Sequence, residues 1–235
     1  MRIAALSDQH GYLPEIPPCD LLIIAGDVCP DGVARRITAW EAPELQKAWF
    51  DREVRPWLAA APAKHKLLTW GNHDWCGERC SFQADSPAVA SSESLQILVA
   101  QSTTIPRSGA ESPLRVWMSP WSNQFGDWAF MREPRELAAV YDTIPAGIDI
   151  VVSHQPPYGY CDEVPDYFSG RMSHQGSREL LAAIDRVKPT VVICGHIHEG
   201  HGAASHHGTL IYNVSVVDDH YRLAHPVTIV DLQTA

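Results

Sequence analysis

The chain has 235 residues, 45% of them hydrophobic, enough for a substantial α/β core. Its formal net charge of −10 argues against a broad basic face, and so against a stable complex with nucleic acid. No segment is long and apolar enough to cross a membrane. The six cysteines, with no leader-like layout ahead of Ile3, read as reduced thiols of a cytoplasmic protein.

In chain order, residues 2–7 read as a strand that runs into Asp8-Gln9-His10. Residues 20–25 are almost wholly apolar, as a strand covered on both faces would be, and end at Gly26-Asp27. The spacing of Leu45, Ala48, Trp49, Val54, Trp57 and Leu58 predicts a helix over 43–58, with Pro43 at its start and Pro62 past its end. A third strand, 66–70, enters Gly71-Asn72-His73-Asp74. Residues 76–90 read as polar and irregular, 93–100 as either helix or strand, and 106–113 as a loop. A strand over 114–118 enters Ser119-Pro120-Trp121, a helix follows at 134–143, and a strand over 148–153 stops at His154. Ser177 can cap a helix over 177–187, and Pro189 follows its end. Strand 190–194 meets Gly195-His196-Ile197-His198, and strands 210–217 and 227–232 close the chain. With no repeat, low-complexity tract or linker in view, one α/β domain over 1–235 is the simplest account.

Five polar clusters therefore follow apolar runs, where an α/β protein keeps its chemistry, beyond the carboxyl ends of its strands. Asp8 and His10 are two apart, so at a strand end both face one side and can bind one ion. His196 and His198 share that spacing. Asp27 is a lone carboxylate that can bridge two cations. Asn72 adds a neutral oxygen, His154 an imidazole, and His73 a titratable ring that Asp74 can orient. Mixed imidazole and carboxylate donors suit manganese, iron, zinc, cobalt or nickel better than calcium. Cys76 and Cys80 have no second pair with which to build a zinc ribbon. Each cluster alone has an ordinary reading as a turn or a satisfied core histidine. Their joint recurrence at strand ends is what points to a metal site.

In this order, Asp8-x-His10, Gly26-Asp27, Gly71-Asn72-His73-Asp74, His154 and Gly195-His196-x-His198 resemble the motif set of the calcineurin-like metallophosphoesterases. The resemblance implies a four-layer αββα sandwich, two facing mixed sheets with helices outside, and a dinuclear centre at the strand ends. Carried over by position, Asp8, His10 and His198 would bind one ion and Asn72, His154 and His196 the other, with Asp27 between them. The ions would be manganese first, with iron, zinc, cobalt, nickel or magnesium as alternatives. A hydroxide shared by the ions would attack phosphorus while His73, oriented by Asp74, acts as general acid. Ser119-Pro120-Trp121, the stretch from His154 to Gly159 and the stretch from Gly195 to Gly202 are similar to the MPPED-type branch. That branch is associated with hydrolysis of cyclic nucleotides and other phosphodiesters. Some of its animal members lack the histidine matching His196, which this chain keeps. No Asp-Arg-Gly follows Asp27, unlike the protein Ser/Thr phosphatases, and Pro30 stands where purple acid phosphatases carry a tyrosine ligand. The resemblance thus implies a metal-dependent phosphodiesterase on small substrates, 2′,3′- or 3′,5′-cyclic nucleotides among them. Asn72, His73, Trp121 and Tyr158 are the candidate substrate contacts, with the two aromatics stacking on a base. A phosphomonoesterase or nuclease of the same superfamily, or an inactive binding protein, are the alternatives.

Overall fold

Buried apolar strands that end in polar motifs build two facing sheets. The computed structural model describes residues 1–80, 95–107, 112–166 and 170–232. The strands of the first sheet are β1 (Arg2–Leu6), β2 (Cys19–Ala25), β3 (Ala63–Thr69) and β4 (Leu95–Ile97). The second is built from β5 (Gln101–Ile105), β6 (Leu114–Ser119), β7 (Ile150–Ser153), β8 (Val191–Cys194), β9 (Gly202–His206) and β10 (Thr209–Asn213). The chain then returns to the first sheet with β11 (Thr228–Asp231). The strand orders are β11-β1-β2-β3-β4 and β9-β10-β8-β7-β6-β5. In the first sheet β1, β2, β3 and β4 run parallel and β11 antiparallel. In the second, β6, β7, β8 and β10 run parallel, with β5 and β9 antiparallel at the edges.

Successive strand residues face opposite ways, so each sheet buries two faces. Ile3, Leu21, Ile23 and Leu67 of the first sheet meet Val116, Met118, Ile150, Val152 and Ile193 of the second. The outer face of the first sheet, with Leu6, Leu22, Ile24 and Leu68, lies under the helical stretch that carries Phe50, Val54 and Leu58. The outer face of the second, with Trp117, Val151 and Val192, lies under α4 (Pro134–Asp142) and α5 (Arg178–Val187) through Leu137, Tyr141, Leu180 and Ile184. The result is helix, sheet, sheet, helix. Beyond β10 the chain crosses to the first sheet. The Ser7 N–H donates to Val214 O at 3.0 Å and the Val216 N–H donates to Ser7 O at 3.0 Å, which stitches the two sheets at one end.

Most of the expected elements are present. Ser177 Oγ accepts the Leu180 N–H at 3.1 Å as the cap of α5, and Lys188 closes that helix in a left-handed conformation. The helix expected over 43–58 has three parts: α1 (Pro43–Trp49), a π-helical turn (Phe50–Val54) and α2 (Arg55–Ala60). Its buried face differs from the expected stripe: Gln46, Phe50, Val54 and Leu58 point inward, while Leu45 is 41% exposed. Residues 75–79 form a short helix, α3 (Trp75–Arg79), not an irregular run. The ambiguous stretch contains a strand, β4, and strand 210–217 stops at Asn213. Expectations over 81–94 and 108–111 lie outside the described residues. No helix among the described residues is long and apolar enough to cross a membrane.

Candidate metal centre

The parallel ladders bring the carboxyl ends of β1, β2 and β3 to one edge, facing those of β7 and β8. Each of these strands feeds one polar turn. The turn residues Asp8, His10, Asp27 and His196 have φ of 57°, 42°, 54° and 67°. Left-handed backbone at a non-glycine residue costs on the order of 1–3 kcal/mol and tends to gather at functional sites. Neighbouring turns are zipped together: the Asp8 N–H donates to Gly26 O at 3.0 Å and the His10 N–H to Asp27 O at 2.9 Å. Two glycines make the approach close enough. A Cβ at Gly71 would fall on the Asp27 carboxylate, and one at Gly195 on the Ser7 hydroxyl and the Asp8 carboxylate.

The seven residues named as ligands converge. His10 Nε2 and His198 Nε2 face each other at 3.4 Å, with an Asp8 oxygen 3.5 Å from the second and an Asp27 oxygen 3.9 Å from the first. On the other side, His154 Nε2 lies 3.3 Å from that same Asp27 oxygen and 2.9 Å from Asn72 Oδ1. The His196 ring stands edge-on to His154 at 5.0 Å. Asp27 therefore sits between two groups of donors. The walls of each gap are lone-pair donors, which is the chemistry a divalent cation requires.

The remaining nitrogens are used to aim the rings. His154 Nδ1–H donates to Ala25 O at 2.8 Å and His198 Nδ1–H to Asp218 O at 3.0 Å, so each presents Nε2 inward. Asp8 is held by the His196 N–H at 3.0 Å and the Ser215 hydroxyl at 2.6 Å. The Asn213 amide pins the final motif through Gly195 O at 3.2 Å and Ile197 O at 2.8 Å. Burial drives His10 down to about 4 and His196 down to about 3, so both are neutral near pH 7. Burial also opposes charge on His154, but Asp27 overrides it and raises that imidazole to about 9. Burial would raise Asp27 too; His154, His73 and His10 outweigh it and hold this carboxylate well below its usual range.

His73 stands beside the ligands, with its N–H on Asp27 Oδ1 at 2.8 Å. Asp74 does not orient it. The Asp74 carboxylate turns away and accepts N–H groups from Cys29 at 2.9 Å, Gly71 at 2.9 Å and Val28 at 3.1 Å, tying the β2 turn to the β3 turn. Those buried N–H groups need an acceptor, and Asp74 supplies it. The partner of His73 is Asp31, whose Oδ1 lies 2.5 Å from Nδ1. Burial lowers the affinity of His73 for a proton; Asp27 and Asp31 more than restore it, and its pKa is raised. Gln46 of α1 holds this corner, donating to His73 O at 2.9 Å and accepting the Cys76 N–H at 2.9 Å.

The ligands open into a cavity of about 590 Å³. Asn72 and His73 line it, but Trp121 and Tyr158 do not. Trp121 is sandwiched between Phe130 and the Arg132 guanidinium, and Tyr158 lies under the Arg178 guanidinium. The aromatic walls are Phe125, Trp128 and Tyr221 instead, from loops that carry no motif. Asp162 faces inward, accepting the Gly159 and Gly176 N–H groups, so it does not border this cavity, whereas Glu199 does. The His201 ring stacks on His225 at 3.8 Å. A separate grouping of Asp185, His206 and His207 lies at the far end of β8. There both His206 nitrogens are already taken, by Tyr160 and Asp185, each at 2.7 Å.

Known proteins resemble this chain in sequence and in fold. The family model described as "Calcineurin-like phosphoesterase" matches residues 1–200. The human "Metallophosphoesterase domain-containing protein 1" is 29% identical over 251 residues, covering 99% of this chain and 71% of that protein. The Caenorhabditis elegans "UPF0046 protein C25E10.12" is 28% identical over 243 residues, covering 99% and 81%. In fold, the chain superposes on the TT1561 protein of Thermus thermophilus with a TM-score of 0.57 at 15% identity, covering 90% of this chain and 88% of the other.

Proposed function

The chain belongs to the calcineurin-like phosphoesterase family, and from that premise we propose that it is a metal-dependent phosphodiesterase acting on small phosphodiesters, cyclic nucleotides among them. Family membership makes it a phosphoesterase hydrolase that works with divalent ions. Asp8, His10 and His198 would hold one ion and Asn72, His154 and His196 the other, with Asp27 shared. Manganese fits this donor set, as do iron, zinc, cobalt, nickel and, less well, magnesium. Such ions, when bound, supply a water of lowered pKa and offset the charge on phosphate.

The rest falls to the chain itself. His73 brings a proton to the leaving oxygen through Nε2, since Nδ1 is held by Asp31. General acid help of this kind is typically worth about 10²–10⁴-fold. The preference for diesters rests on one observation: among the described residues no lysine or arginine lines the cavity, while Glu199 and Asp219 do. A diester brings a single negative charge. A monoester dianion or a polyphosphate would meet those two carboxylates with no cationic side chain from the described walls to compensate. The same acidity, with the net charge of −10, supports free small molecules over nucleic-acid polymers as partners. The six cysteines are free thiols, with Cys29 and Cys76 sharing an S–H···S hydrogen bond at 3.8 Å, in keeping with a reducing cytoplasmic setting.

The test is hydrolysis of bis-p-nitrophenyl phosphate against p-nitrophenyl phosphate, with manganese and with chelator. A diester preference that chelator abolishes is expected. Monoester preference would replace this reading with a phosphomonoesterase, and absence of metal-dependent turnover with a binding protein.

A further inference from the structure

Three large apolar side chains are left in contact with water around the ligand cluster: Trp128 at 37% exposure, Phe125 at 47% and Tyr221 at 43%. Each packs on one or more histidines of the site. The Trp128 indole lies over His73, centroids 4.3 Å apart and planes 32° apart. Phe125 approaches His196 at 5.5 Å. Tyr221 stands edge-on to His10 at 4.6 Å and to His198 at 4.9 Å. Phe125 and Tyr221 thus pack on candidate ligands and Trp128 on His73, and all three line the cavity.

Their loops are held by hydrogen bonds of their own. The loop bearing Phe125 and Trp128 is closed by Ser122 N–H on Phe130 O at 2.9 Å and Gln124 N–H on Arg132 O at 3.0 Å. Asn123 ties it to the second sheet, its N–H donating to Gln155 Oε1 at 2.8 Å. The Tyr221 turn hangs on Asp218, whose carbonyl accepts both the Tyr221 N–H and His198 Nδ1–H, and whose carboxylate pairs with Arg222 at 2.7 Å. Aromatic rings left partly exposed beside a cavity mark a candidate binding surface. Flat rings beside a cavity with a polar rim are what a planar heteroaromatic group stacks on.

We propose that Trp128, Phe125 and Tyr221 form an aromatic clamp that selects phosphodiesters of nucleosides over phosphodiesters of aliphatic alcohols. The inference rests on the phosphodiesterase reading and narrows it. The ligand end of the site sets the reaction, and the three rings set which organic group is taken. Glu199 and Asp219 on the same rim are hydrogen-bond acceptors for amino and ring N–H groups of a base, and they turn away substrates with further phosphates.

The experiment compares 2′,3′-cyclic AMP with glycerol 1,2-cyclic phosphate on the manganese-loaded full chain. The native protein is expected to favour the nucleotide. Trp128→Ala should cost about ten- to a hundredfold more kcat/KM on the nucleotide than on the glycerol ester, through KM, and Trp128→Phe should recover most of the loss. Phe125→Ala should show the same asymmetry, and it serves if Trp128→Ala does not fold. Equal losses on the two substrates, or a native protein indifferent between them, would overturn the clamp while leaving the phosphodiesterase reading in place. Failure to turn over either diester, or bis-p-nitrophenyl phosphate, would remove both.

Discussion

His73 holds a proton more tightly than a free imidazole because two carboxylates of the stretch after β2 face it. Asp27 lies below its N–H at 2.8 Å and Asp31 beside its ring at 2.5 Å. Together they overcome a burial that leaves the residue 7% exposed. Replacing His73 with Ala should slow esters of poor leaving groups by about 10²–10⁴-fold and spare activated aryl esters. Equal loss on both classes would count against the acid role. Asp31→Asn should show the same leaving-group dependence at smaller amplitude, about tenfold, whereas a purely structural Asp31 would lower all substrates alike. The convergence of the seven candidate ligands and His73 was legible because each follows an apolar run with a recognisable motif. Asp31 was not: it lies four residues past Asp27 in a turn whose pattern says nothing of direction, and Asp74, adjacent to His73, is the natural first guess. Adjacency misleads there because Asp74 is consumed by three buried N–H groups. Trp128, Phe125 and Tyr221 gave no signal either, since loop aromatics have no period to read.

At the level of elements, the site is a property of strand ends. The strands that feed it are buried on both faces, and their uninterrupted apolar runs made them visible in the sequence. The edge strands β5 and β9 escaped because they have no apolar run: Gln101, Ser102 and Thr104 are exposed in the first, and exposed Ser205 interrupts the second. A glycine sets how closely the two sheets approach here. Gly195→Ala would drive its Cβ onto Ser7 of the first sheet and onto Asp8. We expect manganese affinity to fall by tenfold or more with secondary structure retained, read by calorimetry and circular dichroism. Gly32→Ala, with open space around its Cβ, is the control. Unchanged affinity in Gly195→Ala would mean that the turns can separate without loss.

For the whole molecule, the candidate ligand set straddles the seam between the sheets, so an ion bound there would be coupled to stability. In the ion-free protein, protonated His154 beside Asp27 stabilises the fold. That contribution is complete below pH 6.5 and lost as pH rises through about 9. The same proton occupies the nitrogen an ion needs. Both effects have one sign: the rise in Tm that manganese gives over chelator should be larger at about pH 8.5 than at about pH 6.5. An equal or smaller rise at the higher pH would contradict the pairing of His154 with Asp27. The seam also has a consequence for how the protein comes into being. His10 and His198 meet although 188 residues separate them in the chain. While a ribosome is still translating, the early turns wait with half of their partners unmade. The two halves of the candidate centre can meet only after the chain has emerged beyond His198, so the early turns cannot complete it by themselves.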